Sequence, residues 1–183
     1  MQIDRILYPV KTLGPGERIG LWLIGCPHHC KKCSNPELWE RDESKDISIA
    51  DLVLYIGENN IKADGITITG GEPFYQVEEL YILLQELRKL RFEDILVYTG
   101  YDFNTIEKNY SKALPYIDVL IDGVYIDELN DNLGIRGSSN QKIHILNEKL
   151  YDKYKSLESA KRCRQNFVYG NKIISVGIPN RFF

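Results

Sequence analysis

An α/β fold is what this 183-residue sequence predicts, and three observations carry it. Short β-branched apolar runs recur at residues 19–24, 64–69, 94–99 and 115–122, bounded by turn-forming residues such as Gly70, Gly100 and Gly123. Between them lie longer stretches with apolar residues at helical spacing, clearest over 76–90. Strand and helix therefore alternate, the pattern of parallel strands joined by crossover helices.

With 43% apolar residues the chain has the bulk for one well-filled domain. Its net charge is −3 and its basic residues are interspersed with acidic ones, so no footprint for nucleic acid or an anionic membrane stands out. The opening Met-Gln-Ile-Asp-Arg-Ile lacks the layout of a signal peptide, and no apolar run approaches the roughly eighteen residues of a membrane span. A cytoplasmic protein with reduced thiols is expected.

The elements follow in order. A short strand at 6–8 and a Gly14-Pro-Gly16 turn precede the strand at 19–24, which delivers a cysteine-rich loop at its carboxyl end, where α/β folds bind ligands. A helix is expected over 49–58, opened by capping residues at 46–48. The strand at 64–69 ends in Gly70-Gly-Glu-Pro73, and two glycines there allow backbone groups to meet a ligand closely. In the helix at 76–90, Val77, Leu80, Leu83, Leu84, Leu87 and Leu90 form the inward stripe. The strand at 94–99, a helix at 104–110 and the strand at 115–122 come next. The polar, glycine-bearing loop 136–141 feeds a last strand through Ile143 and Ile145. Beyond residue 146 a charged helix is predicted over 149–164, with Leu150, Tyr154 and Leu157 inward, then a hairpin around Gly170-Asn171. Lys161, Arg162 and Arg164 read as a solvated face, and Cys163 as a small, buried or indifferent thiol. The chain is thus expected to comprise a core of residues 1–146 and an extension of 147–183 packed on it.

Chemistry concentrates in Cys26-Pro-His-His-Cys30-Lys-Lys-Cys33, which gathers three of the four cysteines. Thiolates so spaced suit an iron–sulfur cluster or zinc, and three ligands leave one metal corner open. A Cys3His zinc site recruiting His28 or His29 is the rival. A disulfide would leave one of three clustered cysteines unpaired. Thr99 and Asp122 stand at strand ends, as turn formers and caps or as cleft residues. Arg136, beside small hydroxyl residues, suits a carboxylate or phosphate.

The spacing Cys-x3-Cys-x2-Cys resembles the cluster loop of the radical S-adenosylmethionine (radical SAM) enzymes, where three cysteines hold a [4Fe–4S] cluster whose fourth iron binds SAM. Lys32 occupies the place of the family's usual aromatic. Gly70-Gly-Glu-Pro73 resembles the family segment that meets the amino group of SAM, and Ser34-Asn-Pro-Glu-Leu-Trp39 resembles an extension of the loop in glycyl-radical activating enzymes. Three further runs, Val97-Tyr-Thr-Gly-Tyr101, Asp118-Val-Leu-Ile-Asp-Gly123 and Arg136-Gly-Ser-Ser-Asn-Gln141, resemble the activating proteins of anaerobic (class III) ribonucleotide reductases, with matches from about residue 8 to 146.

The resemblance implies an incomplete β/α barrel with a helix-plus-hairpin extension, a cluster on Cys26, Cys30 and Cys33, and SAM held by Lys32, Ser34, Asn35, Gly70, Gly71, Glu72, Pro73, Thr99, Asp122 and Arg136. It implies reductive cleavage of SAM to a 5′-deoxyadenosyl radical that takes hydrogen from a glycine of a glycyl-radical enzyme, the large subunit of an anaerobic ribonucleotide reductase or a similar protein. A low-potential donor such as flavodoxin or ferredoxin would supply the electron. The alternatives are a radical SAM enzyme that epimerises or crosslinks a small precursor peptide, and a non-catalytic iron–sulfur electron carrier or scaffold.

Overall fold

The structure, a computed structural model, describes residues 1–58 and 62–181. The strand β1 (Ile3–Val10) pairs antiparallel with β2 (Arg18–Leu23). Then α1 (Ile49–Glu58) leads to β3 (Gly65–Gly70), α2 (Val77–Lys89) to β4 (Ile95–Tyr98), and α3 (Phe103–Asn109) to β5 (Val119–Asp122). The strand β6 (Lys142–Ile145) completes an open sheet of order β1-β2-β3-β4-β5-β6. Its centre, β2 to β5, is parallel, and both edge strands run antiparallel to their neighbours. The α/β expectation is met by this mixed sheet.

Alternation within each strand explains why the strands read as unbroken apolar runs: both faces are covered. Ile19, Leu21 and Leu23 of β2, Ile95 and Val97 of β4 and Leu120 of β5 join one core with Leu80, Leu83, Leu84 and Leu87 of α2. Burying each such side chain contributes about 1.5–3 kcal/mol. Leu90, counted in the inward stripe, instead follows the end of α2 and is exposed. On the opposite face, Trp22 and Ile24 pack with Leu7, Val10 and Val176, while Leu96, Val119 and Ile121 pack with Tyr154.

Tyr154 and Val176 belong to the segment after residue 146, which contains α4 (Tyr151–Tyr154) and a hairpin of β7 (Gln165–Tyr169) and β8 (Lys172–Val176). The helix expected over 149–164 is not formed. It stops at a 3-10 turn, Glu148–Leu150, and the four residues of α4. Tertiary hydrogen bonds displace it: the carbonyls of Leu157 and Ala160 accept from the backbone N–H groups of Ile135 and Gly134, so they are drawn toward the 133–135 loop. Likewise β5 begins only at Val119, because Leu114–Tyr116 forms a 3-10 turn around Pro115.

At the amino ends of the central strands lies a buried charge network. Arg18, fully buried, donates to Thr67 Oγ1 at 2.7 Å, to the Ile66 carbonyl at 2.7 Å and to Asp94 Oδ1 at 3.0 Å. Asp94 also receives Lys153 Nζ and the Tyr154 hydroxyl, each at 2.6 Å, so the C-terminal segment is tied to the sheet by charge as well as by packing. Burial alone pushes the Asp94 carboxyl up, but donors from Arg18, Lys153 and Tyr154 outweigh it and hold the group below its ordinary value. No helix among the described residues is long and apolar enough to cross a membrane.

Candidate cluster and cofactor cleft

Where β2 ends, the backbone turns out of the sheet at Gly25, whose φ of 92° favours glycine. The emerging loop is anchored at once: Gly25 N–H donates to the Leu38 carbonyl at 2.8 Å and Cys26 N–H to that of Trp39 at 2.9 Å. His29 and Lys32 take left-handed φ values of 46° and 58°, strained conformations for side chains of this size. Cys33 N–H closes a turn onto the Cys30 carbonyl at 3.1 Å. The result brings Cys26, Cys30 and Cys33 to one cleft of about 170 Å³ at the carboxyl ends of β2 to β5.

Burial pushes the Cys26 and Cys30 thiols up, against backbone N–H groups of His28 and His29 at Cys26 and of Tyr125 at Cys30 that favour the thiolate. As placed, the described His, Cys, Asp and Glu side chains form no group of three closed on a single ion. The donor set nonetheless fits an iron–sulfur cluster: three soft sulfur ligands on one loop, partly withdrawn from water, with backbone N–H groups directed at two of them.

Across the cleft lies the glycine pair. Gly70 has φ of 106°, and a Cβ on it would meet the Leu23 backbone, while one on Gly71 would strike the Gly25 carbonyl. Only glycine fits between β3 and the start of the cysteine loop. Gly71 N–H donates to Leu23 at 2.7 Å and Glu72 N–H to Gly25 at 2.8 Å, so this turn and the loop share one scaffold.

Glu72 is 1% exposed, and its carboxylate is spent inside the protein. It accepts from Phe74 N–H at 3.0 Å, Thr99 Oγ1 at 2.9 Å and Gly100 N–H at 2.7 Å, and pairs with His28 Nε2 at 3.0 Å. One carboxylate thus ties the cysteine loop to the end of β4. Tyr101, edge-on to His28, has its phenol pushed up to about 12 by burial.

Of the expected site residues, the cleft gathers Cys26, Cys30, Cys33, Ser34, Asn35, Gly70, Gly71, Glu72 and Thr99. Four are not among its lining. Pro73 opens the 3-10 turn Pro73–Gln76 and is buried. Lys32 lines a neighbouring cavity and pairs with Asp127 at 2.8 Å. Asp122 turns toward α3, accepting from Phe103 N–H at 2.8 Å and facing His144 at 3.1 Å. Arg136 does find a carboxylate, but an internal one, Asp131 at 2.8 Å.

Cleft residues that the sequence reading did not single out include Tyr98, Tyr125, Gln141, Ile178 and Pro179. Tyr98 and Gln141 lay in noted runs; Gln141 locks its loop by accepting from Gly137 N–H at 2.7 Å and donating to the Gly123 carbonyl at 2.7 Å. Ile178 and Pro179 carried no signal, being a chain tail with no chemistry of its own.

The family described as a 4Fe-4S single cluster domain matches residues 12–144. The chain is 38% identical over 145 residues to the anaerobic ribonucleoside-triphosphate reductase-activating protein of Haemophilus influenzae, covering 75% of this chain and 94% of that one. It is 37% identical over 150 residues to the protein of that name from Vibrio cholerae, with the same coverage. Among solved structures, QueE from Escherichia coli overlaps 54% of this chain and 51% of its own with a TM-score of 0.45 and 23% identity.

Proposed function

Since the chain belongs to the 4Fe-4S single cluster domain family and to the family of anaerobic ribonucleoside-triphosphate reductase-activating proteins, we propose that it is a radical SAM enzyme that activates a glycyl-radical enzyme, an anaerobic ribonucleotide reductase or a close counterpart. The observation that carries this is the meeting of three thiols and a glycine pair in one cleft. Bound there, a [4Fe–4S] cluster and SAM would supply a 5′-deoxyadenosyl radical able to take hydrogen from a partner's glycine Cα.

The chain's own residues bind and orient. Cys26, Cys30 and Cys33 are the ligands. The backbone at Gly70 and Gly71, with Ser34 and Asn35 opposite, offers polar groups to SAM. Asn35 is held by Arg5, which donates to its Oδ1 at 2.8 Å. Glu72 and Thr99 act as positioning residues, fixing the cleft floor through the hydrogen bonds above. In this reading Lys32, Pro73, Asp122 and Arg136 support the walls and do not touch SAM. Within residues 1–146 the described residues form an incomplete β/α barrel whose open sheet leaves room for a protein loop, and within 147–183 the residues described, up to 181, pack on it as part of one domain. The setting is the cytoplasm, with a flavodoxin or ferredoxin as donor.

The test is anaerobic reconstitution with iron and sulfide, reduction with dithionite, and chromatography for 5′-deoxyadenosine on adding SAM, with Cys30→Ala as control. Formation by wild type alone is expected, together with a glycyl radical visible by electron paramagnetic resonance when a cognate reductase is added. A reduced, fully loaded cluster that leaves SAM intact would reject the proposal.

A further inference from the structure

Residues 145–183 lie outside the part of the chain that the single-cluster family matches. They nevertheless reach the cleft. Ile178 and Pro179 line the 170 Å³ space beside the three cysteines, and they also line an adjoining cavity of about 400 Å³ with Leu13, Trp22, Lys32 and Arg164. The tail therefore stands as a partition between two spaces that share Cys33, Ser34, Asn35 and Thr69.

What holds the partition is Arg162. Its side chain is only 3% exposed, against the expectation of a solvated face, which holds for its exposed neighbours Lys161 and Arg164. Nη1 donates to the Pro179 carbonyl at 2.8 Å and to Asn130 Oδ1 at 2.7 Å. Nη2 donates to the carbonyls of Arg136 at 2.6 Å and Gly137 at 3.1 Å, and Nε to that of Leu133 at 3.3 Å. A single guanidinium thus joins the tail to the loop that carries Gly137 and Gln141, two further cleft residues. Asn130 adds a contact of its own, Nδ2 to the Pro179 carbonyl at 3.4 Å, and Arg181 N–H donates to Asn132 at 2.7 Å. Gln165, at the start of β7, donates to the Pro9 carbonyl at 2.7 Å and accepts from Lys11 N–H, pinning the hairpin to the far side. The segment is fastened on both flanks.

We propose that residues 177–180 are a fixed wall of the cluster cleft, that Arg162 is the residue positioning it, and that the wall limits which molecules reach the cluster and helps hold SAM. This rests on the cluster and SAM reading above. Without the wall the two spaces would merge, Cys33 would face a wider opening, and SAM would lose an apolar surface. Lysine at position 162 carries three donors on a single nitrogen and cannot span the five acceptors spread between the 130–137 loop and Pro179.

The test compares holoprotein of wild type, Ile178→Ala, Arg162→Ala and Arg162→Lys at equal iron and sulfide content. SAM affinity is read by equilibrium dialysis, and cluster access by the rate at which ferricyanide bleaches the visible absorbance. SAM binding roughly threefold weaker in Ile178→Ala and roughly tenfold weaker in Arg162→Ala is expected, with bleaching accelerated several-fold and only partial recovery in Arg162→Lys. Wild-type affinity and bleaching in both alanine variants would overturn the proposal. Should wild type load no cluster, the cluster reading fails, and the wall is judged on the apoprotein. There, iodoacetamide should alkylate Cys26, Cys30 and Cys33 faster in the alanine variants than in wild type, relative to exposed Cys163, and equal rates would overturn it.

Discussion

The two ends of the central sheet solve opposite problems. At the amino ends, Arg18 and Asp94 are buried opposite charges, satisfied by each other, by backbone carbonyls and by the Lys153 ammonium and Tyr154 hydroxyl, at 2.6 to 3.3 Å. At the carboxyl ends, three thiols share a cleft and the backbone carries left-handed residues at His29 and Lys32. The paired end contributes cohesion, and the strained end can be tolerated because the strands between them are fixed. Glu72 is the exception that links the two regimes, a buried carboxylate at the cleft that is as fully partnered as Asp94.

That contrast can be broken from either side. The largest effect expected is at the cleft: Cys30→Ala should abolish stable iron loading while moving the unfolding free energy of the apoprotein by less than about 1 kcal/mol, measured by iron analysis and urea titration. Asp94→Asn should do the reverse, costing about 3–5 kcal/mol because Arg18 is left buried without its counter-charge, yet leaving iron content per folded molecule unchanged. If Asp94→Asn instead strips iron from the folded protein, the division between the ends is false. Gly70→Ala sharpens the boundary. It forces a Cβ into a left-handed position against the Leu23 backbone, at a cost of about 1–3 kcal/mol by denaturant melt, and should also weaken SAM binding.

The smallest effect is in pH. The Asp94 carboxyl lies below its ordinary value in the folded state, so its contribution is complete above the unfolded value of about 4 and is lost as pH falls through the folded one. Stability followed by circular dichroism between about pH 5 and 2 should fall less steeply in Asp94→Asn than in wild type. An unchanged slope would mean that other carboxylates govern the acid limb.

Much of the site was legible because its chemistry is local. Three cysteines within eight residues and a glycine pair at a strand end declare themselves without any fold. What failed was long-range. Arg162 looked solvated because basic runs usually are, yet its partners lie 17 to 32 positions away. Arg136 read as a partner for a ligand's carboxylate or phosphate, and only the loop's curvature shows that Asp131 of the same loop takes up its guanidinium. Asp122 shares strand parity with Leu120, which faces the helices, so alternation alone would have turned it away from the cleft. The missing helix over 149–164 was lost to carbonyl partners that no local pattern records.

The stacking of His29 on Trp39, with ring centres 4.8 Å apart, has an optical consequence. The chain has two tryptophans, and Trp22 lies buried in the sheet beneath Arg5, at 5.4 Å from its ring. Trp39 sits on the cysteine loop itself and accepts the Cys26 hydrogen bond through its carbonyl. Its emission is a built-in gauge of that loop: a light-absorbing centre or a shift of the imidazole would dim it, and a Trp22→Phe background would leave that signal alone in the spectrum.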